Sequence, residues 1–318
     1  MSASPLVLRW GASPYERLSG ARWEAERCAA LGLRYRPEPQ GSPPAVLAEA
    51  AVVVVSSLTQ MDATALDAAP RCQLLLTTTS GYDHLDLGAA RARGVVVARM
   101  PMARRDAVVQ AALAMALSLL RDLPAQQVAA SEGHWVRAGL AERGIARIDA
   151  EPFGIVGLGV IGRRMAEVLQ ALGVEVWGAD PLGLPADVRP ATVAEMTARC
   201  RVVSLHCSHQ RGAPPVLGGE ELAVARPDLL VINTARGRAL DLAAAEAALV
   251  AGRLGGLALD VFPREPWPHL QHLAILPRVL LSPHAAGYHD GLARAIAEEL
   301  GAALAAWKAG GEVPNRVA

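Results

Sequence analysis

The sequence predicts an α/β protein built from two doubly wound, parallel-sheet domains. Three observations support this fold class. Short apolar runs alternate with amphipathic stretches along residues 5–99, and the alternation restarts at Phe153. A glycine-rich turn, GLGVIG, joins an apolar run to a helical stretch at residues 157–162. The 318 residues are enough for two hydrophobic cores, and alternating strands and helices favour parallel sheets covered on both faces.

In the first part of the chain, apolar runs indicate strands at residues 6–8, 52–55, 74–77 and 95–97. Amphipathic stretches indicate helices at residues 21–31, 62–68 and 87–93. Met100-Pro101 ends this unit. A long apolar helix is expected from about Arg104 to Leu123, with Pro124 as its stop because proline disrupts a helix interior.

In the second part, strands are expected at residues 153–156, 174–177, 202–206, 229–233, 257–261 and 279–281. These runs are short and continuously apolar, which is typical of strands buried on both faces of a parallel sheet. A final helix is expected from about residue 291 to 307.

The composition indicates a folded protein without a charge-driven partner. It is 52% hydrophobic, and 31 basic residues balance 31 acidic ones. A net charge of zero gives no global field towards nucleic acid or an anionic membrane, so we expect neither partner. No charged segment precedes an apolar run at the N-terminus, and no apolar stretch reaches the roughly 20 residues of a membrane span.

The cysteines bear on location and metal binding. Four cysteines lie far apart without a C-x-x-C pair. Reduced thiols in a cytoplasmic protein explain this spacing better than a disulfide framework or a zinc site. We therefore expect a cytoplasmic location and no metal.

The glycine-rich turn predicts a dinucleotide site. Gly157, Gly159 and Gly162 have the G-x-G-x-x-G spacing after a strand, and Asp180 ends the next strand. The glycines permit a tight turn, close approach of a pyrophosphate and close helix–strand packing. The helix start favours the anion. A βαβ unit without a ligand is the alternative, but the strand, the helix and the acid all agree with the site.

Asp180 indicates NAD rather than NADP. A carboxylate at this position accepts both ribose hydroxyls of adenosine, whereas a 2′-phosphate would be repelled. Residues 181–183 supply no compensating cation. NADH is therefore expected to be preferred over NADPH.

Polar side chains follow three apolar runs of the second part. Arg236 stands after VIN, Asp260 ends LALD, and His284 follows LLSP. Ligands of open parallel sheets lie outside the carboxyl ends of the strands, so these residues should share one rim. Arg236 can bind a carboxylate through two parallel hydrogen bonds, although a surface salt bridge explains it as well. Asp260 is costly in or beside a strand unless it has a partner.

His284 is the candidate for proton transfer. A histidine beside a carboxylate is held in one tautomer and has a raised pKa, which suits acid–base chemistry near neutral pH. Glu265 is the best candidate for that carboxylate. An exposed loop histidine without a function is the alternative.

These motifs together resemble the D-isomer-specific 2-hydroxyacid dehydrogenase family. Four segments match it in order: GLGVIG with Asp180, INTARG, LDVFPREP and SPHAAG. A fifth, SGYDHLDL at residues 80–87, resembles the substrate-domain loop of that family. The similarity covers nearly the whole chain, and the set of motifs is highly specific.

The resemblance implies site residues. Arg236 would bind the substrate carboxylate and polarise the keto oxygen, His284 would be the general acid in reduction, and Glu265 would hold it protonated. The backbone of Ser80-Gly81 would receive the carboxylate, and Asp260 would bind the nicotinamide carboxamide. The implied substrate-binding residues are Ser80, Gly81, Tyr82, Arg104 and Arg236. The implied cofactor-binding residues are Gly157, Leu158, Gly159, Val160, Ile161, Gly162, Asp180, His206, Thr234, Ala235, Asp260 and His284.

The resemblance also implies the domain organisation. A discontinuous substrate-binding domain would comprise residues 1–99 plus 286–318. An NAD-binding Rossmann domain would comprise residues 100–285, with a dimerisation helix region at 104–150. The expected architecture is two Rossmann/flavodoxin-like, doubly wound parallel-sheet domains with a cleft between them, in a homodimer.

Several positions depart from the family pattern. Arg104-Arg105 form a basic pair that could meet a second anionic group on the substrate, although the pattern favours a solvated helix start or an interface salt bridge. Gln110 stands where a glutamate is common, and residues 208–210 replace a Pro-Leu-Thr-like turn near the cofactor. Ser56 stands where phosphoglycerate dehydrogenases usually carry a phosphate-binding arginine, which disfavours 3-phosphoglycerate.

The sequence thus predicts an NAD(H)-dependent oxidoreductase that interconverts a small 2-keto acid and the D-2-hydroxy acid. Two alternatives stay open. One is a phosphite-type or phosphonate-related anion dehydrogenase on the same fold. The other is a non-catalytic, NAD-sensing binding protein that resembles corepressors. The joint presence of Arg236, Glu265 and His284 favours catalysis, because a scaffold would not need all three.

Overall fold

The computed structural model describes residues 4–11, 20–39, 41–210 and 212–318. The chain divides into two compact units. The first comprises Met1–Arg104 and His289–Ala318, and the second comprises Arg105–Tyr288. Each unit has one parallel sheet with helices, which confirms the predicted α/β class.

The sheet of the first unit has five parallel strands in the described part of the chain. They are β1 (Leu6–Trp10), β2 (Arg34–Glu38), β3 (Ala50–Val55), β4 (Leu74–Thr77) and β5 (Val96–Arg99). Their order is β2-β1-β3-β4-β5. In such flavodoxin-like sheets, ligands lie beyond the carboxyl ends of the strands.

β2 is the strand of this first sheet that the sequence pattern does not predict. Its sequence, RYRPE, has no apolar run and contains Pro37. It lies at the edge of the sheet, where a polar strand with a proline is tolerated.

Both faces of this sheet are buried. Val53 and Val55 lie in one apolar cluster, and Val52 and Val54 lie in the other. This explains why the strand is continuously apolar rather than alternating. The helices of the unit are α1 (Gly20–Ala30), α2 (Ala63–Asp67), α3 (Leu87–Ala92) and, from the end of the chain, α11 (Leu292–Lys308).

The sheet of the second unit has seven parallel strands in the described residues. They are β6 (Phe153–Val156), β7 (Val176–Ala179), β8 (Arg189–Pro190), β9 (Val202–Leu205), β10 (Leu230–Asn233), β11 (Gly256–Leu259) and β12 (Val279–Leu281). Their order is β12-β11-β10-β9-β6-β7-β8. The order reverses between β6 and β9, which is where such sheets bind nucleotides.

Helices cover both faces of the second sheet. They are α4 (Met102–Leu120), α5 (Leu123–Ser131), α6 (Val160–Ala171), α7 (Val193–Arg199), α8 (Gly219–Ala223), α9 (Leu242–Val250) and α10 (Leu270–Ala274). Ala112 and Ala116 of α4 and Met165 of α6 pack on one face. Met196 of α7 and Ala245 of α9 pack on the other.

The predicted stop of the long helix at Pro124 is wrong. α4 ends at Leu120, and Asp122 adopts a left-handed conformation with φ 53°. The carbonyl of Leu119 at the helix end accepts from the Asp122 N–H at 3.2 Å and from Arg278 Nη2 at 3.0 Å. Pro124 lies in the first turn of α5, where a missing N–H costs nothing.

No single helix of the described residues is both long and apolar enough to cross a bilayer. α4 and α5 reach that length and composition only as a pair that is bent by 64°. Within α4, Ala112, Ala116 and Leu119 belong to the buried core on the sheet.

Candidate active site

The turn after β6 has room for glycine only at two positions. Gly157 has φ +92°, and a Cβ atom there would lie 2.6 Å from the backbone nitrogen of Cys207. A Cβ atom on Gly162 would lie 1.9 Å from the carbonyl oxygen of Gly157. A Cβ atom on Gly159 would instead meet open space. The turn is therefore packed against its neighbours on one side and open on the other.

The start of α6 is free to bind an anion. Gly159 is its N-cap, and no side chain in the described part of the chain caps the first N–H groups of the helix, which include those of Val160 and Ile161. Uncapped N–H groups and the helix dipole favour a phosphate at this position. The open face at Gly159 leaves space for it. These features fit the pyrophosphate of a dinucleotide.

Asp180 follows β7 and faces the glycine turn. Its Oδ2 accepts a hydrogen bond from the Leu158 N–H at 2.6 Å, and its Oδ1 accepts one from the Leu182 N–H at 2.8 Å. Both bonds hold the carboxylate in one orientation beside the start of α6. Asp180 therefore lies where a ribose acceptor is predicted.

The ends of β9 and β10 supply the next predicted residues. His206 is hydrogen-bonded through Nε2 to Ser204 Oγ at 2.9 Å. Burial lowers the pKa of His206 to about 4, so the ring is neutral at pH 7. The hydroxyl of Thr234 is buried and has no hydrogen-bond partner in the described residues. A buried polar group without a partner suits an external polar ligand, which a dinucleotide would supply.

Asn233 shapes the segment that carries Thr234 and Arg236. Its side chain accepts from the Ala235 N–H at 3.1 Å and donates to the Arg236 carbonyl at 2.9 Å. Asn233 is fully buried at the end of β10. The sequence analysis assigns no role to Asn233. An amide side chain at the end of an apolar strand could have indicated that it holds the following backbone.

Asp260 holds the loop that carries His284. Its carboxylate is 1% exposed and accepts hydrogen bonds from Ser282 Oγ at 2.5 Å, the Ala285 N–H at 2.7 Å and the Ala286 N–H at 3.0 Å. Its carbonyl accepts from the His284 N–H at 2.7 Å. The partners that make the buried charge tolerable thus lie in one loop.

His284 and Glu265 form the expected pair. His284 Nδ1 donates to Glu265 Oε2 at 2.6 Å, and the Phe262 N–H donates to Glu265 Oε1 at 3.0 Å. The backbone of His284 is left-handed, with φ 54°. This uncommon conformation is held by the bonds to Asp260 and directs Nδ1 to Glu265. Nε2 is left for another partner.

The contact between His284 and Glu265 shifts the pKa of each group towards its charged form. The hydrogen bond with Glu265 raises the pKa of His284, and burial only partly opposes this. Burial alone would raise the pKa of Glu265, but the hydrogen bonds from His284 and the Phe262 N–H outweigh it and lower that pKa. The geometry therefore favours a protonated imidazole.

Arg236 follows β10, and its positive charge reaches both Glu265 and His284. Its Nη1 donates to the Ala235 carbonyl at 2.7 Å. The next residue, Gly237, lies against Phe262: a Cβ atom there would lie 1.9 Å from the Phe262 carbonyl carbon. This contact sets the arginine segment against the turn that contains Glu265.

Of the predicted substrate residues of the first unit, Ser80, Gly81 and Tyr82 lie in the loop after β4, and Arg104 lies in the first turn of α4. Arg104 donates from Nη1 to the Thr78 carbonyl, and Arg99 donates from Nη1 to the Ser80 carbonyl at 3.0 Å. The Arg99 guanidinium lies 5.9 Å from the centre of the Tyr82 ring. No hydrogen bond within the described residues uses the N–H groups of Ser80 or Gly81. Adjacent free N–H groups are suited to an anion.

The structure brings Arg236, Asp260, Glu265 and His284 together in the second unit. The loop with Ser80, Gly81 and Tyr82 lies in the first unit, as does Arg104 at the start of α4. Arg99 also contacts this loop, through its bond to the Ser80 carbonyl, and the sequence motifs do not indicate it. Its position at the end of β5 is the signal that could have identified it.

The second unit matches a family model. The model of the NAD binding domain of D-isomer specific 2-hydroxyacid dehydrogenases matches residues 113–286. D-3-phosphoglycerate dehydrogenase of Mycobacterium tuberculosis (strain ATCC 25618 / H37Rv) is 31% identical over 270 residues, which are 82% of this chain and 50% of that protein. The chain spans about half the length of the curated relatives it matches.

Solved structures match nearly the whole chain. A protein of Thermus thermophilus has a TM-score of 0.81 and 26% identity, covering 98% of this chain and 100% of the other. The NADPH-dependent glyoxylate/hydroxypyruvate reductase of Sinorhizobium meliloti, solved with NADP and malonate, has a TM-score of 0.79 and 25% identity, covering 99% of this chain and 97% of the other. These likenesses and the family model confirm the predicted fold and the predicted family.

Proposed function

The chain belongs to the D-isomer-specific 2-hydroxyacid dehydrogenase family, and we propose that it interconverts a small 2-keto acid and the D-2-hydroxy acid with NAD(H). The observation that carries this proposal is the hydrogen bond of 2.6 Å between His284 and Glu265 near the charge of Arg236. A protonated imidazole and a guanidinium are what reduction of a keto acid requires.

The proposed chemistry divides between two side chains. When bound, the nicotinamide ring supplies the hydride that adds to C2 of the keto acid. His284 gives the proton of Nε2 to the carbonyl oxygen, because Nδ1 is held by Glu265. Arg236 binds the substrate carboxylate through its planar fork and stabilises the negative charge that develops on the oxygen. In the reverse direction, neutral His284 accepts the proton of the hydroxyl.

The cofactor would be held by residues of the second unit. The start of α6 would take the pyrophosphate, Asp180 the ribose hydroxyls, and the unsatisfied hydroxyl of Thr234 a further polar group. Asp260 keeps its predicted role towards the carboxamide, although its described contacts are to the loop at 282–286.

We propose that NADH is preferred over NADPH. The charge of Asp180 would repel a 2′-phosphate. The Sinorhizobium meliloti relative is NADPH-dependent, so the preference needs its own test. Asp180→Ala should lower the ratio of kcat/KM with NADH to that with NADPH. Asp187→Asn, an exposed carboxyl of the same unit, is the control. An unchanged ratio in Asp180→Ala would remove Asp180 from the ribose site.

Loss of NADH absorbance with a panel of 2-keto acids tests the proposed reaction. The panel runs from glyoxylate, hydroxypyruvate and pyruvate to aromatic, phosphonate-bearing and phosphorylated acids. It includes 3-phosphohydroxypyruvate because curated relatives are named D-3-phosphoglycerate dehydrogenase. Ser56 disfavours that substrate, since its buried hydroxyl donates to the Gly11 carbonyl at 3.3 Å and brings no charge.

His284→Ala separates the proposed reaction from the alternatives. It should abolish turnover while NADH binding, measured by fluorescence, is largely kept. Tight NADH binding by the wild type without any turnover would favour a sensing protein. Turnover of phosphite alone would favour an inorganic anion dehydrogenase.

We propose a homodimer through the region 104–150, in a cytoplasmic protein. α5 has no buried residue, and Leu123, Val128 and Trp135 are exposed, the last at 90%. We propose that these exposed apolar side chains are covered at the dimer interface, since large exposed apolar patches mark interfaces. The four cysteines are unpaired, which fits a reducing compartment. Light scattering of the wild type and of Val128→Glu tests the dimer, and a monomeric wild type would refute it.

A further inference from the structure

Two contacts of Phe262 close the turn that carries Glu265. The Phe262 N–H donates to Glu265 Oε1 at 3.0 Å, and the Phe262 ring stacks on the indole of Trp267. The ring centres are 6.3 Å apart and the ring planes are inclined by 17°, which is the arrangement of an offset-stacked aromatic pair. Phe262 therefore holds the carboxylate through its backbone and the end of the turn through its ring.

Phe262 is itself fixed by its neighbours. Its side chain is 7% exposed and belongs to an apolar core cluster of the second unit. Gly237 lies so close that a Cβ atom on it would be 1.9 Å from the Phe262 carbonyl carbon. Arg238 Nε donates to the carbonyl of the next residue, Pro263, at 3.3 Å. Phe262 is thus a fixed point to which Trp267 attaches the end of the turn.

Trp267 contributes to the turn through its ring rather than through its polar atom. The side chain is half-buried and packs against the same apolar cluster as Phe262. The indole Nε1 is buried and has no hydrogen-bond partner in the described residues. His269 meets the indole at 80°, with the ring centres 5.8 Å apart. Because a buried donor without an acceptor is unfavourable, stacking and packing of the ring are what this residue supplies.

The position of Glu265 depends on the shape of this turn. Its side chain is 37% exposed, so packing alone does not fix it. Its carboxylate bonds to the Phe262 N–H and, at 2.6 Å, to His284 Nδ1. The bond to Glu265 is the main cause of the raised pKa of His284. A displaced turn would therefore weaken the hold of Glu265 on the imidazole.

We infer that Trp267 is a positioning residue for the Glu265–His284 pair, because its stack on Phe262 keeps the turn in the shape that directs Glu265 to His284. The inference rests on the proposed function for its effect on turnover. Trp267 acts through Phe262 and Glu265 rather than on the reacting atoms. The motif LDVFPREP ends at Pro266, so the sequence motifs do not indicate this residue.

The test compares three replacements of Trp267 with a matched control. Trp267→Phe keeps an aromatic ring, Trp267→Leu keeps apolar packing without a ring, and Trp267→Ala removes both. Met196→Ala is the control, because Met196 is buried in the same cluster but lies beside Gly154 of β6. β10 and β9 separate β6 from β11, the strand that precedes the turn. The cavity in this control lowers stability at a distance from the turn.

Two measurements report on His284. The first is the pH dependence of kcat/KM for reduction, whose falling limb gives the pKa of the acid in the free enzyme. The second is an NMR titration of the imidazole nitrogens without substrate, which separates His284 from His269. Asp260 raises and Arg236 lowers the pKa of His284. Both residues stay in every variant, so a changed pKa reports on Glu265.

Trp267→Ala and Trp267→Leu should lower the pKa of His284 and move the falling limb to lower pH. At a pH above the limb, kcat/KM should fall roughly two- to tenfold, which corresponds to the loss of one aromatic pair. Trp267→Phe should stay near the wild type, because its ring can stack on Phe262. Met196→Ala should unfold at a lower urea concentration but keep both titration curves. NADH binding should be kept in all four variants.

A structural role alone would give a different result. If Trp267→Ala and Trp267→Leu lose stability but keep the titration of His284, the inference is overturned while the proposed function stands. It is also overturned if Trp267→Phe shifts the titration as far as Trp267→Ala, since stacking would then not be the cause. If Trp267→Ala does not fold, Trp267→Leu decides. If no 2-keto acid reacts, the proposed function fails, and the NMR titration still decides the inference by the same criteria.

Discussion

Replacing Asp260 by asparagine should destabilise the second unit and release the loop that carries His284. The carboxylate is 1% exposed and accepts three hydrogen bonds, two at Oδ1 and one at Oδ2. An amide has one acceptor oxygen. With that oxygen at the position of Oδ1, the amide NH2 faces the Ala286 N–H, and a buried donor loses its partner.

The size of the effect follows from these bonds. A buried donor without its acceptor costs about 1–3 kcal/mol. The two remaining bonds lose their charge assistance, about 1 kcal/mol each. The variant no longer buries a charge, which offsets part of this loss. The free energy of unfolding of the second unit should therefore fall by about 2–4 kcal/mol.

Two measurements without cofactor test this reasoning. Urea unfolding, fitted with a separate transition for each unit, should show the loss in Asp260→Asn and none in Asp187→Asn. Hydrogen exchange should be faster at the Ala285 and Ala286 amides, which donate to Asp260. Unchanged exchange at both amides together with unchanged stability would refute the assignment. Faster exchange should be accompanied by a lower kcat, since His284 loses its fixed backbone.

Three further predictions concern the proposed reaction. Glu265→Gln should remove the main cause of the raised pKa of His284. Because reduction needs protonated His284, activity is present below this pKa and is lost above it, so the falling limb of kcat/KM should move to lower pH; an unmoved limb would assign it to another group. Arg236→Lys should sharply reduce turnover, because a point charge cannot replace the fork, and near wild-type kinetics would reject the clamp. Gly237→Ala should destabilise by about 1–3 kcal/mol or more and reduce kcat, as its Cβ would lie 1.9 Å from the Phe262 carbonyl carbon; unchanged stability and kcat would show that the contact does not position Arg236.

The nucleotide-binding segment could be predicted from the sequence because the residues that define it are close together in the chain. The apolar run, Gly157, Gly162 and the acid Asp180 follow one another within a single βαβ unit, and each meets a neighbour in that unit or the adjacent strand end. The position of Arg236 and His284 at one edge of the sheet could be predicted for a related reason. Parallel strands bring their carboxyl ends to one edge, so Arg236 and His284 could be placed together without knowing any contact.

The predictions of secondary structure were wrong where a contact between distant parts of the chain overrode a local sequence preference. Pro124 suggests a helix stop, but the break lies earlier, where Arg278 reaches the end of α4 from far along the chain. β2 has no apolar pattern, and its pairing with β1 alone makes it a strand. Local propensity is weaker than these tertiary contacts.

The sequence by itself determined the α/β class, the glycine-rich turn, the edge of the sheet where the candidate site lies and the family. These features depend on the spacing of apolar residues along the chain and on positions, such as Gly157 and Gly162, where a Cβ atom would clash with its neighbours. Only the tertiary structure decided the partners of charged side chains. Asp260 holds the His284 loop, Arg105 pairs with Asp106 and Arg104 donates to the Thr78 carbonyl. The physical reason is that a long or buried charged side chain takes its partner from whatever the fold brings near, and sequence spacing does not encode that neighbour.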